Sequence, residues 1–312
     1  MNDQSIIQTF GLTRYFGGKC ALDQVSFMVP RGCVFAMLGR NGSGKSTLIQ
    51  MLTGLIEPTR GRAEIFGVDS SKLTPAVRGR IGYVPEGHPL PGFLRVRDLH
   101  AFQKSFYSTW NDKLFRAIID HFSLGLTQRA GQLSRGQRAG LALALAMAPQ
   151  PELLVMDDPS LGLDPVARRT LLEAMILNTR GSGNTTFFTS HELADVERVA
   201  DHVAILDRSA LRVCCSLETL RQRVKRLVIT LNGTAPAELP HIPGLLQATR
   251  HGAELSLIVA NITDDARRAI AGLSPNITEA PLTLEDAAIG YLSDRRQTFS
   301  LLDAVHTDAE AT

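Results

Sequence analysis

The stretch CVFAMLGRNGSGKSTLIQMLTG, residues 33 to 54, limits the folds open to this chain more than any other. Its first six residues are apolar and read as a buried strand, residues 39 to 44 are rich in glycine, and Lys45, Ser46 and Thr47 open an apolar-periodic helix that ends near Gly54. Gly39, Gly44, Lys45 and Ser46 carry the spacing of a strand, loop and helix built to hold phosphate. Glycine lets the N–H groups of the loop, those of Asn41, Gly42 and Ser43 among them, turn inward. They form a nest of donors at a helix N-terminus, where the peptide dipoles favour an anion. The implied ligand is a nucleoside triphosphate, with Lys45 neutralising its β and γ phosphates and the Ser46 hydroxyl holding Mg2+.

The rest of the composition is that of an ordinary globular chain. Of 312 residues, 21% are charged and 44% apolar, enough for a domain of roughly 200 residues with an appendage. A formal net charge of +2 gives no push toward nucleic acid, so no nucleic-acid partner is expected. No run approaches the roughly 18 uncharged apolar residues of a membrane span. The first residues, MNDQSIIQTF, carry an Asp and polar groups where a signal peptide needs a basic region and an apolar core. The expected location is cytoplasmic, with a membrane reached only through a partner. Cys20 and Cys33 are isolated and Cys214 and Cys215 are adjacent, which is neither C-x-x-C nor an easily closed disulfide; all four read as reduced and structural.

In chain order, IIQTFGLT and FGGKCALDQVSFMVP read as two short β segments before the phosphate-loop strand. An aromatic there, Tyr15 or Phe16, could stack on a nucleobase or simply pack. A short strand follows at residues 63 to 66, and RGRIGYVPE (78 to 86) is another that enters a loop. Between about residues 93 and 150 no strand is predicted. In NDKLFRAIIDHF, Leu114, Ile118, Ile119 and Phe122 make one helical stripe, with Asn111 or Asp112 able to cap it and Trp110 placed as a staple. Ser134 is a natural N-cap for an alanine- and leucine-rich helix.

The run PELLVMDD is the second chemical landmark: four apolar residues, then Asp157 and Asp158 at the strand end where α/β sheets place their ligands. Asp157 is placed to reach Mg2+, directly or through water, and Asp158 to act as base toward an attacking water. A helix at 166 to 178, a strand at 185 to 190 ending at His191, a helix at 192 to 200 and a strand at 203 to 207 complete a mostly parallel sheet. His191, at a strand's C-terminal end, can contact a γ-phosphate or serve in packing.

With these landmarks in order, residues 5 to 222 resemble the ATPase subunit of an ABC transporter. Seven segments carry the resemblance: FGGKCALDQVSF with Phe16 at the base-stacking position, GRNGSGKST, IGYVPE, LSRGQ, LLVMDDP, LGLDP with Asp164, and TSH. The resemblance implies an α/β P-loop NTPase core with an antiparallel β subdomain and a helical insertion. It also implies a head-to-tail dimer that traps ATP between one subunit's phosphate loop and the other's LSRGQ segment. Ser134, with the N–H groups of Arg135, Gly136 and Gln137, is a second helix N-terminus, suited to a γ-phosphate across an interface. The implied partners are ATP, a second ATPase subunit, identical or not, and an integral membrane permease.

Three positions depart from the family pattern. Glu86 stands where a Gln is usual, adding negative charge near the metal and the nucleophilic water. It is similar to the subfamily whose partners are ABC-2 type exporter permeases. Asp158 replaces the usual Glu, a retraction of about 1.5 Å that is expected to slow hydrolysis. Arg135 replaces a glycine and adds positive charge beside the phosphate site.

Residues 223 to 296 read as a small α+β appendage with strands at 226 to 231 and 254 to 260, a helix at 263 to 271 and a capping pair, Thr283 and Asp286. It resembles the C-terminal extension of ABC-2 type exporter ATPases. Both a dimer-stabilising role and a regulatory site are open for it, and residues 297 to 312 are expected to fray. The runner-up reading is an ABC ATPase acting on ribosomes or another macromolecule. Such relatives usually carry two ATPase units or a long coiled-coil insertion, and the chain has neither.

Overall fold

The apolar run at residues 34 to 38 is a strand with every residue buried, as in the interior of a parallel sheet covered on both faces. The computed structural model describes residues 5–231, 239–274 and 276–292; the expected frayed tail at 297 to 312 lies outside them. The chain divides into two compact units, Met1–Cys214 and Cys215–Thr312.

The first unit begins with β1 (Ser5–Phe16), β2 (Lys19–Val25), β3 (Met28–Pro30), β4 (Val34–Leu38), α1 (Lys45–Leu52), β5 (Arg60–Ile65), β6 (Val68–Asp69), α2 (Pro75–Arg78) and β7 (Ile81–Val84). It continues with α3 (Val96–Lys104), α4 (Asp112–His121), α5 (Arg135–Met147), β8 (Leu153–Met156), α6 (Pro165–Ile176), β9 (Thr185–Ser190), α7 (Leu193–Val199), β10 (His202–Asp207) and β11 (Ala210–Ser216). Five strands form an antiparallel sheet in the order β2-β1-β5-β6, with β3 also paired to β1. Six form the second sheet, β11-β10-β4-β9-β8-β7, parallel from β10 to β7. Its core includes a stack of Phe27, Phe35 and Phe187, with ring centroids 5.6 to 6.3 Å apart.

The register of the parallel sheet aligns the strand ends. Leu38 pairs with Ser190, and Met156 pairs with both Phe188 and Val84. Gly39, His191, Asp157 and the chain leading to Glu86 therefore leave the sheet along one edge, the carboxyl edge that serves ligands in α/β folds.

The segment between β7 and β8 is helical. Asn111 caps α4 by accepting from the N–H of Leu114 at 2.9 Å, and the Trp110 ring lies 6.1 Å from that of Phe115, a hydrophobic staple. The stripe is turned from the expected one: Phe115 and Ile119 are its buried members, while Leu114, Ile118 and Phe122 are half-buried. α5 is buried from Ala139 to Met147, and Phe122 packs where a Cβ on Gly140 would sit. Small residues there allow that approach.

Other features differ from the sequence reading as well, and β6 and β11 are strands it does not predict. β1 is one strand through Phe16, because Gly11 at φ 55° absorbs a register shift without ending it. α2 appears behind the N-cap Thr74. A π-turn at Leu177–Gly181 extends the helix predicted for 166 to 178. Two further strands appear in the second unit.

That unit comprises α8 (Leu217–Arg223), β12 (Val224–Thr230), β13 (Leu245–His251), β14 (Glu254–Ala260), α9 (Asp264–Ala271), β15 (Ile277–Ala280) and α10 (Leu284–Leu292). Its antiparallel sheet runs β13-β14-β12-β15, and Ile229, Leu257 and Val259 pack with Ala266 and Ile270 of α9. The Thr283 hydroxyl accepts from the N–H of Asp286 at 3.0 Å and donates to its carboxylate at 2.9 Å.

Candidate nucleotide site

A cleft of about 500 Å³ opens where β4 gives way to α1. Its walls come from Phe16, Lys19 and Ala21 of the β1–β2 hairpin, from the loop and helix through Asn41, Gly42, Gly44, Lys45, Ser46 and Thr47, and from Glu86, Asp157 and Asp158 beyond β7 and β8. Gly44, the N-cap of α1, has φ 109°, and a Cβ there would strike the carbonyl of Ala21 and the side chain of Leu22. No side chain caps α1, so its first N–H groups are left for a ligand. Gly39 and Ser43 lie behind this wall: the Gly39 carbonyl receives the Lys45 ammonium at 2.7 Å, and the Ser43 hydroxyl is buried without a partner.

Lys45 is nearly buried and also donates to the Arg40 carbonyl at 3.2 Å. Burial pushes its pKa down, opposed by Asp158, Asp157 and Glu86. The carboxylates therefore favour the charged lysine that a phosphate needs. Asp158 shows the converse: burial pushes its pKa up, opposed by His191 and Lys45. Its Oδ1 is buried and unpartnered, its Oδ2 lies 2.7 Å from His191 Nδ1, and its backbone takes φ 41°, uncommon for a residue with a Cβ. His191 is not among the residues lining the cleft; it meets the site through Asp158.

Phe16, and not Tyr15, lines the cleft, with the Arg14 guanidinium 4.6 Å from its ring centroid. Lys19, Ala21 and the buried Thr189 escaped sequence reasoning. Lys19 and Ala21 carry no spacing signal, and Thr189 stands in the TSH segment, where only His191 received a role.

The second predicted group stands apart from this cleft. The Ser134 hydroxyl accepts from the N–H of Gln137 at 3.2 Å, and the Gln137 side-chain oxygen accepts from the N–H of Ser134 at 3.1 Å, a capping box at the start of α5. A Cβ on Gly136 would press on Ala167 and Asp164. Asp164 caps α6, accepting from Val166 at 2.9 Å and Ala167 at 3.0 Å. Arg135 lies against Gly162, where its guanidinium fills the space of a Cβ. None of Ser134, Gly136, Gln137 or Asp164 lines the cleft formed by Lys45.

The donor set suits Mg2+ bound to a nucleotide. Ser46 and Asp157 supply hard oxygen atoms, and the Asp158 Oδ1 is an unmet acceptor beside them. Among the described residues no three His, Cys, Asp or Glu side chains form a metal cage. A Mg2+ that keeps its waters and takes phosphate oxygens needs none.

A parallel sheet with a phosphate loop on its carboxyl edge, two aspartates beside it and a helical segment between β7 and β8 defines an ATPase of the cassette type. The ABC transporter family matches over residues 22–161. The chain is 31% identical to the bacitracin transport ATP-binding protein BcrA of Bacillus licheniformis, covering 71% of this chain and 73% of that protein. It is 31% identical to the daunorubicin resistance ATP-binding protein DrrA3 of Streptomyces coeruleorubidus, covering 89% and 90%. A solved ATP-binding subunit of an ABC transporter superposes with a TM-score of 0.64 at 27% identity, covering 70% of this chain and 92% of that one. The chain belongs to the ABC transporter family as an ATP-binding protein of the exporter-type group. The activity of that family is ATP hydrolysis.

Proposed function

We propose that the protein is the motor subunit of an exporter. In this reading, ATP with Mg2+ closes a head-to-tail dimer, hydrolysis opens it, and the motion passes to a separate membrane permease. The observation that carries the reading is the separation of Ser134 from the cleft at Lys45. That cleft has Glu86, Asp157 and Asp158 in its walls but not Ser134, which caps the N-terminus of α5 elsewhere. Two subunits arranged head to tail would complete each other.

Within the site, Lys45 and the first N–H groups of α1 hold phosphate, and Phe16 offers its ring to the base. Ser46 and Asp157 would hold Mg2+, with Glu86 nearby, and the metal would supply charge neutralisation at the phosphates. Asp158, steadied by His191, takes the proton of the attacking water. Asp164 and the segment with Ser134, Gly136 and Gln137 meet the other subunit. Among the described residues no helix is long and apolar enough to cross a membrane. A permease partner would therefore hold the subunit at the inner face of the membrane.

Two measurements test the reading together. Size-exclusion chromatography of Asp158→Asn with MgATP should show a dimer that Ser134→Arg abolishes. Affinity purification from membranes should bring down a polytopic membrane protein. A monomer under all nucleotide conditions would overturn the dimer, and recovery of ribosomes in place of a membrane protein would overturn the exporter reading.

A further inference from the structure

We propose that Thr189 is a positioning residue that sets the orientation of both aspartates with a single hydroxyl. The inference rests on the reading of the cleft as an ATP site and goes beyond it to the first residue of the TSH segment, two positions before His191, to which the resemblance gives no role.

Thr189 is the fifth residue of β9 and has no exposed surface. β9 lies between β4 and β8, and the register pairs Thr189 with Met37 on one side while Phe188 faces Met156 on the other. Thr189 thus stands level with the first residue past β8, which is Asp157. Its hydroxyl lies 2.7 Å from Asp157 Oδ1 and 2.9 Å from the backbone nitrogen of Asp158. A carboxylate can only accept and an amide can only donate. The one hydroxyl proton therefore goes to Asp157, and an oxygen lone pair receives the N–H of Asp158. Both contacts are satisfied at once in a single rotamer, and a threonine in a strand has few others to visit.

Each contact fixes something the chemistry uses. Holding Asp157 Oδ1 leaves Oδ2 as the carboxylate oxygen for metal. Anchoring the N–H of Asp158 stabilises the φ of 41° that turns its side chain away from the β8 direction and into the cleft. His191 restrains the same side chain from its far end, at Oδ2. Asp158 is thereby held at backbone and carboxylate by two residues of one strand end, and Oδ1 is left as its unpaired oxygen. A side chain without the hydroxyl would leave two buried polar groups unmet and free both aspartates to reorient.

The test compares Thr189→Ser, which keeps the oxygen, with Thr189→Ala and the isosteric Thr189→Val, which lack it. ATP affinity is measured by calorimetry in EDTA and in MgCl2, and kcat and KM by phosphate release, on the full chain. Affinity in EDTA should be the same in all four proteins. The gain in affinity on adding Mg2+ should persist in Thr189→Ser and vanish in Thr189→Ala and Thr189→Val. Their kcat should fall about 100-fold, as for misplacement of a reacting group by about 1 Å, while KM changes little. Equal losses in the Ser and Ala variants, or an intact Mg2+ response in Thr189→Ala or Thr189→Val, would overturn the positioning role. If Thr189→Ala does not fold, Thr189→Val fills the space and the comparison stands. Wild-type protein that binds no ATP would instead overturn the nucleotide reading, and this role with it.

Discussion

His191 Nδ1 lies 2.7 Å from Asp158 Oδ2, and Asp158 holds that position from a left-handed backbone. The contact holds the Asp158 carboxylate at the cleft from its far end. We propose that this side chain, one methylene shorter than a Glu, still falls short of the attacking water. Asp158→Glu is expected to raise steady-state ATPase, and Asp158→Asn to lower it by about 100-fold, the lower end of a general base's contribution. Phosphate release with ATP affinity measured in parallel separates turnover from binding. No gain in Asp158→Glu would show that the left-handed turn already compensates for the shorter side chain.

Lys45 has three carboxylates acting on it from Asp158, Asp157 and Glu86. Lys45→Ala removes the cation and leaves those charges facing an incoming triphosphate. ATP affinity should fall roughly 10- to 100-fold, the equivalent of about 1.5 to 3 kcal/mol for one charge-assisted hydrogen bond. Calorimetry checks it, and undiminished affinity would remove the basis for calling the cleft a nucleotide site.

How much of this was legible follows from what each segment buries. β4 and β8 are buried throughout, so their sequences are apolar runs bounded by the residues that do chemistry, while β9, equally buried, sets two phenylalanines among four hydroxyl residues. β15, ITEA, has three exposed residues of four, and β13, LLQATRH, mixes polar with apolar residues; neither offers a period to read. The stripe of α4 was misplaced by one position because Leu114, Phe115, Ile118 and Ile119 are all apolar, and only packing decides which pair faces inward. In the site, Gly44 announces its left-handed backbone by residue type, whereas Asp158 does not. Thr189 stands in the TSH segment, but its role was not legible there, because that role lies in hydrogen bonds across a sheet, which sequence spacing does not encode.

Phe115 is the centre of the helical segment's packing, 1% exposed and in ring contact with His100 and Trp110. Phe115→Ala should cost about 3 to 5 kcal/mol, the usual range for deleting a buried ring. Trp110→Ala should cost less, since that ring is only half-buried. Thermal melts followed by circular dichroism check the order. Equal losses from the two would show that the staple, and not the buried ring, holds the segment.

Cys33 gives a prediction with a defined pH window. Its side chain is almost fully buried, its Sγ lies 3.2 Å from the Pro30 carbonyl, and burial, with a smaller effect from Asp201, pushes its pKa up to about 12. An unfolded cysteine titrates near 8.5. The raised folded value means that the thiol's contribution to stability is complete below about 8.5 and is lost as pH rises toward the folded value. In the folded protein, iodoacetamide labelling of Cys33 followed by mass spectrometry should stay slow at both pH 7 and pH 9, because the thiolate is the nucleophile and, with the thiol pushed up to about 12, very little of it forms even at the higher pH. In guanidinium the same peptide should label quickly, and faster at the higher pH. Rapid labelling of Cys33 in the native protein would mean that the entry to β4, from which the phosphate loop departs, opens far more readily than its burial implies.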